Sequence, residues 1–401
     1  MASSKNNSTS SKILYVDTPG QLGALGRELA QQDAIAFDTE FLWERTYSPR
    51  LGLIQVADAE RTWLVDPLAL SPREMKPLMD VFVSPRTLKV AHAVDQDQMC
   101  LHQSYGVVAE PVLDTSVAAA MTGMGDQVGL STLLHKLLRV DIDKGHSRTN
   151  WLKRPLPPEM VRYAAADVAH LTKAADILRK RLVELKREEW AFDLSAKAGD
   201  YAKAHFEPLL IARKIADGKR LDATAFGVLG ELIAWREDEA RRRDLPRRWL
   251  AEDKILLKLS MARPGSAAQL DDFRGLGISK RPGGASRVLA AIQRGAQSPP
   301  RDYVRENPKR GPTTKESAAL VVLRCFLNAL AADHKLPLRL LVKNDSMVEL
   351  LRGNFKDAEA LAKSGILEPR AVELVGEDLV AILNGRRGLR LVKGIATQQE
   401  A

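Results

Sequence analysis

Hydrophobic positions follow two rhythms along this chain, and the change falls near residue 190. Before it, short apolar runs alternate with amphipathic stretches. Residues 12–16 read as a strand, and residues 21–31 as a helix with Leu22, Leu25 and Leu29 on one side. Apolar runs at 34–41, 50–57 and 62–66, the last two parted by the polar turn 58–61, predict an antiparallel meander opening a mixed sheet. Ser71-Pro72 predicts a helix start, with the helix running to residue 83 and kinked at Pro77. Residues 87–91 form a strand that runs into a helix carrying Asp95 and Asp97. Further helices are expected over 114–121 and 130–138, and one long helix over 159–181 after Pro157-Pro158.

Beyond a connecting segment at 191–206 the pattern is helical throughout. Helices are expected up to Pro246, over 253–262 and 266–273, and after Pro282. A linker rich in proline and charge, residues 297–315, follows. The pattern then returns at an offset of 91 residues: Leu245-Pro246, Arg248 and Leu250 recur as Leu336-Pro337, Arg339 and Leu341. This marks a diverged repeat. The expected organisation is a disordered tail (1–11), an α/β domain (12–190), the connecting segment, a helical domain (207–296), the linker and a second helical domain (316–396).

The totals refine this picture. A chain of 401 residues suffices for two or three domains. A formal charge of +9 favours a polyanionic partner such as nucleic acid. Cys100 and Cys325 are the only cysteines, which excludes a disulfide framework and fits a reducing compartment. The Ser- and Asn-rich start has no apolar core of a signal peptide, and the most apolar helical stretch, 317–332, is broken by Arg324 and Asn328. A cytoplasmic protein, without a membrane association or an evident obligatory protein partner, is expected.

Candidate chemistry centres on the strand ending Phe37-Asp38-Thr39-Glu40-Phe41. Side chains alternate along a strand, so Asp38 and Glu40 share a face and repel unless a cation sits beside them. Alone, such a pair reads as a solvated acidic rim. Asp95 or Asp97 supplies a third carboxylate near a helix start, and Asp167 a fourth, sharing a helical face with Tyr163 one turn before it. Four carboxylates can hold two magnesium or manganese ions about 4 Å apart for phosphoryl displacement, and a tyrosine can serve the attacking water. Gly123, Gly125 and Gly129 lack the spacing of a dinucleotide loop, and His92 reads as a core residue. Trp43, Trp63 and Trp151 read as packing residues.

In this order the fragments resemble the ribonuclease H-like (DnaQ-like) 3′-to-5′ exonucleases of the DEDDy type, and among them the ribonuclease D family. The resemblance rests on residues 37–41, Arg45-Thr46-Tyr47, Leu51-Gly52-Leu53-Ile54-Gln55, Lys89-Val90-Ala91-His92-Ala93 with Asp97, residues 148–155 and Tyr163-Ala164-Ala165-Ala166-Asp167. It implies that Asp38, Glu40, Asp97 and Asp167 bind the two ions, Mg²⁺ or Mn²⁺, that Tyr163 serves the water, and that Asp97 rather than Asp95 is the ligand. Gln98 and Asn150 depart from the family pattern without removing a ligand. Near the substrate, Thr39, Phe41, Leu42 and Gln55 are expected to meet the terminal nucleotide, and Lys144, Arg148, Lys153 and Arg154 form a basic loop suited to phosphates. Both helical repeats resemble HRDC domains, the second in degenerate form. The implied activity is release of nucleoside 5′-monophosphates from RNA 3′ ends, precursor tRNA being the family's usual substrate. Single-stranded DNA is the alternative substrate, and a non-catalytic nucleic-acid binder the alternative class.

Overall fold

A computed structural model of the chain describes residues 12–143, 145, 149–276, 283–300, 303, 310–392 and 395–400. The expected tail, residues 1–11, lies outside them. The chain divides into two compact units, one of residues 1–112, 142–172 and 195–309, the other of residues 113–141, 173–194 and 310–401.

The first unit is built on strands β1 (Lys12–Val16), β2 (Ala34–Leu42), β3 (Arg50–Ala57), β4 (Arg61–Val65) and β5 (Leu88–Ala91), with β6 (Val112–Asp114) completing a sheet of order β1-β4-β3-β2-β5-β6. β2, β3 and β4 form the expected antiparallel meander, and β1 and β5 add in parallel to β4 and β2. The sheet is therefore mixed, with β2 between a long antiparallel and a short parallel neighbour.

Register decides what each face carries. Glu40 pairs with Leu53 but Phe41 pairs with Leu51, so Gly52 is an extra residue in β3. One face presents Ile35, Phe37, Ile54 and Val56 to α1 (Pro19–Leu29), α2 (Lys76–Phe82) and α3 (Asp95–Tyr105), with the rings of Phe37 and Phe82 5.1 Å apart. Leu53 and Leu64 join a second cluster with Trp151 and with Met160, Ala164 and Ala165 of α6 (Pro158–Val168). At the bulge a Cβ on Gly52 would lie 2.7 Å from the Trp151 carbonyl oxygen, so only glycine lets that loop lie against β3.

Local chemistry explains the helix boundaries. α1 begins at Pro19 because Thr18 and Gln21 form a reciprocal capping box. α2 begins at Lys76, later than its sequence suggests. Ser71 and Glu74 close a separate turn through the Ser71 N–H to Glu74 Oε2 bond of 2.7 Å, and Pro77 falls in the first turn, where its missing N–H leaves no kink. The helix expected over 159–181 is two: α6 ends at Val168, and the turn at 169–170 separates it from α7 (Leu171–Glu184). The segment read as a connection is largely helical, within α8 (Glu188–Ala204).

The first unit also contains α9 (Pro208–Ala216), which the sequence reading lacked, and α10 (Ala223–Arg243), α11 (Arg247–Leu250), α12 (Asp253–Ala262), α13 (Ala267–Leu270) and α14 (Gly284–Gln297). α13 is shorter than the helix expected at 266–273. α10 is the hub, and Gly227 faces Gly295 where it meets α14.

The second unit holds α4 (Thr115–Met121), α5 (Leu130–Leu138), α15 (Thr314–Asp333), α16 (Leu338–Leu341), α17 (Met347–Arg352), α18 (Ala358–Lys363), α19 (Pro369–Leu383) and a hairpin of β7 (Arg387–Val392) and β8 (Ile395–Glu400). The hairpin had no counterpart in the sequence reading. The offset seen in sequence reappears in the backbone. α10, α11 and α13 begin at residues 223, 247 and 267, and α15, α16 and α18 at 314, 338 and 358. The capping residues Asp222 and Ser266 have counterparts in Thr313 and Asp357, and the left-handed Asp244 (φ 50°) in Lys335 (φ 52°). Among the described residues no helix is long and apolar enough to cross a membrane.

The α10–α14 crossing gives a direct test. A Cβ on Gly295 would lie 2.4 Å from the Val228 Cα. Gly295→Ala is expected to cost about 1–3 kcal/mol through backbone displacement, read as a lower Tm. Gly20→Ala, with nothing within 4 Å in the first turn of α1, should leave Tm unchanged or raise it slightly.

Candidate active site

β2 carries Asp38 and Glu40 on the face opposite Phe37 and Thr39. α6 brings Asp167 to the same face, and one carboxylate oxygen from each of the three lies within 4.8 Å of the others. All three are part-exposed. Asp97 stands beside this trio in the first turn of α3 and is buried. β5 pairs with β2 only through Ala36, which leaves the next N–H groups of that edge without a strand partner. Asp97 Oδ1 fills the gap, accepting from the Thr39 N–H at 3.0 Å and its hydroxyl at 2.5 Å. The strand end and the helix start are thereby fixed together.

The electrostatics are those of carboxyls crowded out of water. Burial pushes Asp38 up to about 8, with Asp167 adding to the rise. Burial and then Asp38, Asp167 and Asp97 push Glu40 up to about 10. Burial also raises Asp167 to about 7 against the lowering effect of its hydrogen bond with Tyr163. Asp97 is raised by burial first and Asp38 second, opposed by the Thr39 bonds. The Tyr163 phenol, which donates to Asp167, is held above its ordinary range by burial and then by Asp167, Glu40 and Asp38. Acidic groups placed so close are stable as anions only with a cation among them, and their all-oxygen donor set suits a hard divalent metal.

Tyr163 is positioned through a chain of packing that begins at the sheet. Its ring centroid lies 6.2 Å from that of Trp151, which is fully buried against β3. Arg154 anchors this loop. Its Nε and Nη2 donate to Asp66 at 2.5 and 2.7 Å, Nη1 donates to the carbonyls of Trp151 and Lys153, and Nη2 also reaches the Gly52 carbonyl at 2.5 Å. Asp66 accepts a further bond from the Tyr15 hydroxyl at 2.6 Å. Arg154, expected to face phosphate, is thus engaged inside the protein. The bidentate Arg154–Asp66 pair was not foreseen; its sequence signal is only that Asp66 directly follows an apolar strand.

The other expected contacts divide by face. Gln55 sits across from Asp38 on the acidic face, fully buried, and its amide oxygen and nitrogen have no hydrogen-bond partner. Thr39 has both polar groups on Asp97. Phe41 is half-buried and packs against the core of the opposite face, while Leu42 is part-exposed at the end of β2. Lys144 and Arg148 lie outside the described residues. Gln98 buries its amide against the backbone of Ala109, accepting at 2.7 Å and donating at 2.8 Å, and Asn150 Oδ1 accepts from the Leu152 N–H. These two departures from the family pattern therefore have structural employment.

The profile of the 3′-5′ exonuclease family matches residues 13–183, which contain every acidic residue of this site, and that of the HRDC domain matches residues 225–292. A mixed sheet bearing clustered carboxylates with a tyrosine one helical turn away defines a 3′-to-5′ exonuclease domain. The chain is 32% identical over 366 residues to the ribonuclease D of Granulibacter bethesdensis, covering 91% of either chain, and 32% identical to that of Zymomonas mobilis, covering 93% of this chain and 94% of the relative. Its structure matches the crystal structure of Escherichia coli RNase D, an exoribonuclease involved in structured RNA processing, with a TM-score of 0.75 and 26% identity over 93% of this chain and 99% of that one. The chain belongs to the ribonuclease D family of 3′-to-5′ exoribonucleases, whose exonuclease chemistry uses divalent metal ions.

Two outcomes check this geometry. The folded protein keeps protons on carboxyls that the unfolded chain releases near their ordinary values of 3.8 and 4.5. Metal-free protein should therefore be most stable at acid pH and lose Tm as pH rises from about 4 towards about 10, with divalent metal reversing the loss and Asp38→Asn flattening the slope. Calorimetry with EDTA and with Mg²⁺ reads both. Arg154→Gln should lower Tm by breaking a largely buried ion pair, at about 3 kcal/mol or more. It should leave the salt dependence of RNA binding at its wild-type slope, whereas loss of a phosphate contact would shift that slope by about 0.7.

Proposed function

We propose that the protein trims the 3′ ends of structured RNA in the cytoplasm, precursor tRNA among its substrates, releasing nucleoside 5′-monophosphates one at a time. Asp38, Glu40, Asp97 and Asp167 hold two divalent ions, Mg²⁺ or Mn²⁺, which when bound supply activation of water and neutralisation of the leaving oxygen. The observation that carries this reading is the convergence of Asp38, Glu40 and Asp167 with Tyr163 hydrogen-bonded to the last of them.

The protein's own groups do the rest. Asp167 orients the Tyr163 hydroxyl, which directs the attacking water or helps to deprotonate it. Thr39 holds Asp97 in place from the strand side. Gln55, with its amide unpaired on the acidic face, takes the sugar or phosphate of the terminal nucleotide. Leu42 borders that nucleotide's base, Phe41 backing it from the core of the opposite face, and Lys144 and Arg148 take backbone phosphates. The boundaries 12–190, 207–296 and 316–396 delimit the catalytic domain and two HRDC-type domains. The second of these is supported by the shared offset of helices and caps.

Time-resolved cleavage of 5′-labelled precursor tRNA and matched single-stranded DNA, with Mg²⁺, Mn²⁺ or EDTA, tests the proposal. Asp38→Ala and Asp167→Ala should abolish shortening while RNA binding persists, and Tyr163→Phe should slow it by about 10²-fold or more. Equal turnover of wild type and Asp38→Ala would rule out the metal assignment, and shortening of DNA alone would overturn the substrate class.

A further inference from the structure

Two cavities lie where the loop after β2 meets the helical part of the same unit. One, of about 460 Å³, is lined by Trp43, Thr46 and Tyr47 together with Arg247 and Arg248. The other, of about 710 Å³, is lined by Tyr201 and His205, by Ile211 and Ile215, and by Lys214 and Lys219. Arg236, Arg247 and Asp253 line both, so the two are lobes of one groove. Across the junction the rings of Trp43 and His205 meet edge to face at 6.2 Å, and those of His205 and Tyr201 at 5.2 Å. One wall is thus a row of aromatic rings.

The floor of the groove is a network of Arg236 and Arg247 with Glu237 and Asp253, in which guanidinium nitrogens are left under-satisfied. Arg236 is 1% exposed; its Nη1 donates to Asp253 at 2.6 Å, yet Nη2, 3.2 Å from Glu237, has no hydrogen-bond acceptor. Arg247 Nη2 lies 3.4 Å from the same carboxylate and likewise lacks an acceptor. Burial together with Arg247 and Lys214 holds His205 down at about 4, so its ring is neutral and apolar-faced at physiological pH. The acidic residues Glu44 and Glu252 confine themselves to the smaller lobe, and Asp253 is already paired with Arg236.

We propose that this groove binds single-stranded RNA on the 5′ side of the nucleotide being removed, stacking bases on Trp43, His205 and Tyr201 and placing phosphates on Lys214 and Lys219. The occupant follows from continuity and charge. Trp43 comes three residues after Glu40, one residue beyond the end of β2, so the smaller lobe begins about 10 Å along the chain from the acidic residues. Aromatic faces beside a line of cations are what single-stranded nucleic acid recognises irrespective of sequence. Trp43 packs against the core of the helical part, as expected, and its part-exposed remainder lines the smaller lobe. This inference rests on the exoribonuclease reading and adds a strand path to it.

The test uses full-length protein and a 5′-fluorescein 12-nucleotide oligouridine, with anisotropy measured across a salt series in EDTA and shortening followed in parallel with Mg²⁺. Lys214→Gln/Lys219→Gln should lower the slope of log Kd against log salt by about 1.4, at about 0.7 per phosphate contact. Tyr201→Ala, which removes an exposed ring and its hydroxyl bond to His205, should weaken binding about tenfold at fixed salt with Tm kept near wild type, and Tyr201→Phe should keep the affinity. Lys76→Gln, on the surface of α2, should match wild type. If wild type binds and shortens the RNA while the groove variants keep its slope and affinity, the groove assignment is wrong and the activity reading stands; a groove that docks an acidic peptide instead would give this result. Failure of wild type to bind or shorten the RNA at all would overturn both.

Discussion

Mutual repulsion among carboxyls at the end of β2 is the constraint on which the rest of the structure depends. Asp38 and Glu40 share a face because strand geometry gives them no alternative, and Asp167 is driven against them by the packing of α6 on Leu53 and Leu64. Nothing about this arrangement favours folding. It persists because the surroundings over-determine it: a hydrophobic sheet face behind, Asp97 clamped to Thr39 at the strand edge, and a buried loop held by Arg154 on the far side. Stability is concentrated in the frame, and the centre is left with acidic groups that a divalent cation can relieve.

The frame works by filling positions that lack a natural partner. Where β5 stops pairing with β2, a side-chain carboxylate takes up the free strand edge. Where Gly52 bulges out of β3, the absence of a side chain admits the Trp151 backbone, and Arg154 ties the Gly52 carbonyl to the Trp151 carbonyl through one guanidinium. The ring of Trp151 then backs Tyr163. A misplacement at the bulge would thus be felt at the phenol, through contacts that involve no acidic residue.

Much of this was legible in the sequence, for identifiable reasons. Strand alternation alone placed Asp38 and Glu40 on one face, and helical spacing placed Tyr163 with Asp167. The meander followed from three apolar runs with a polar turn. Choosing Asp97 over Asp95 required the family resemblance, because both fall in the first turn of α3 and differ only in which way that turn faces. Features decided by distant partners stayed hidden. Arg154 reads as one more cation of a basic loop until Asp66, 88 positions away, is seen to claim it. The late start of α2 depends on Ser71 capping a turn instead of a helix, and the division of α6 from α7 leaves no proline or glycine behind.

The two helical units with matching offsets put one shared corner to different uses. Asp244 and Lys335 occupy the same left-handed corner, one copy of the repeat apart. In the first copy this corner grips the exonuclease loop, with Asp244 accepting from the Tyr47 N–H at 3.1 Å and pairing with Arg50. In the second, the Lys335 side chain lies against Gly123, where a Cβ would come within 3.0 Å of it. The shared element is a knuckle of backbone, alike in shape and opposite in charge. A corner of one shape thus serves two host surfaces with opposite charge, and what the two helical units share there is the path of the backbone and not the side chain it carries.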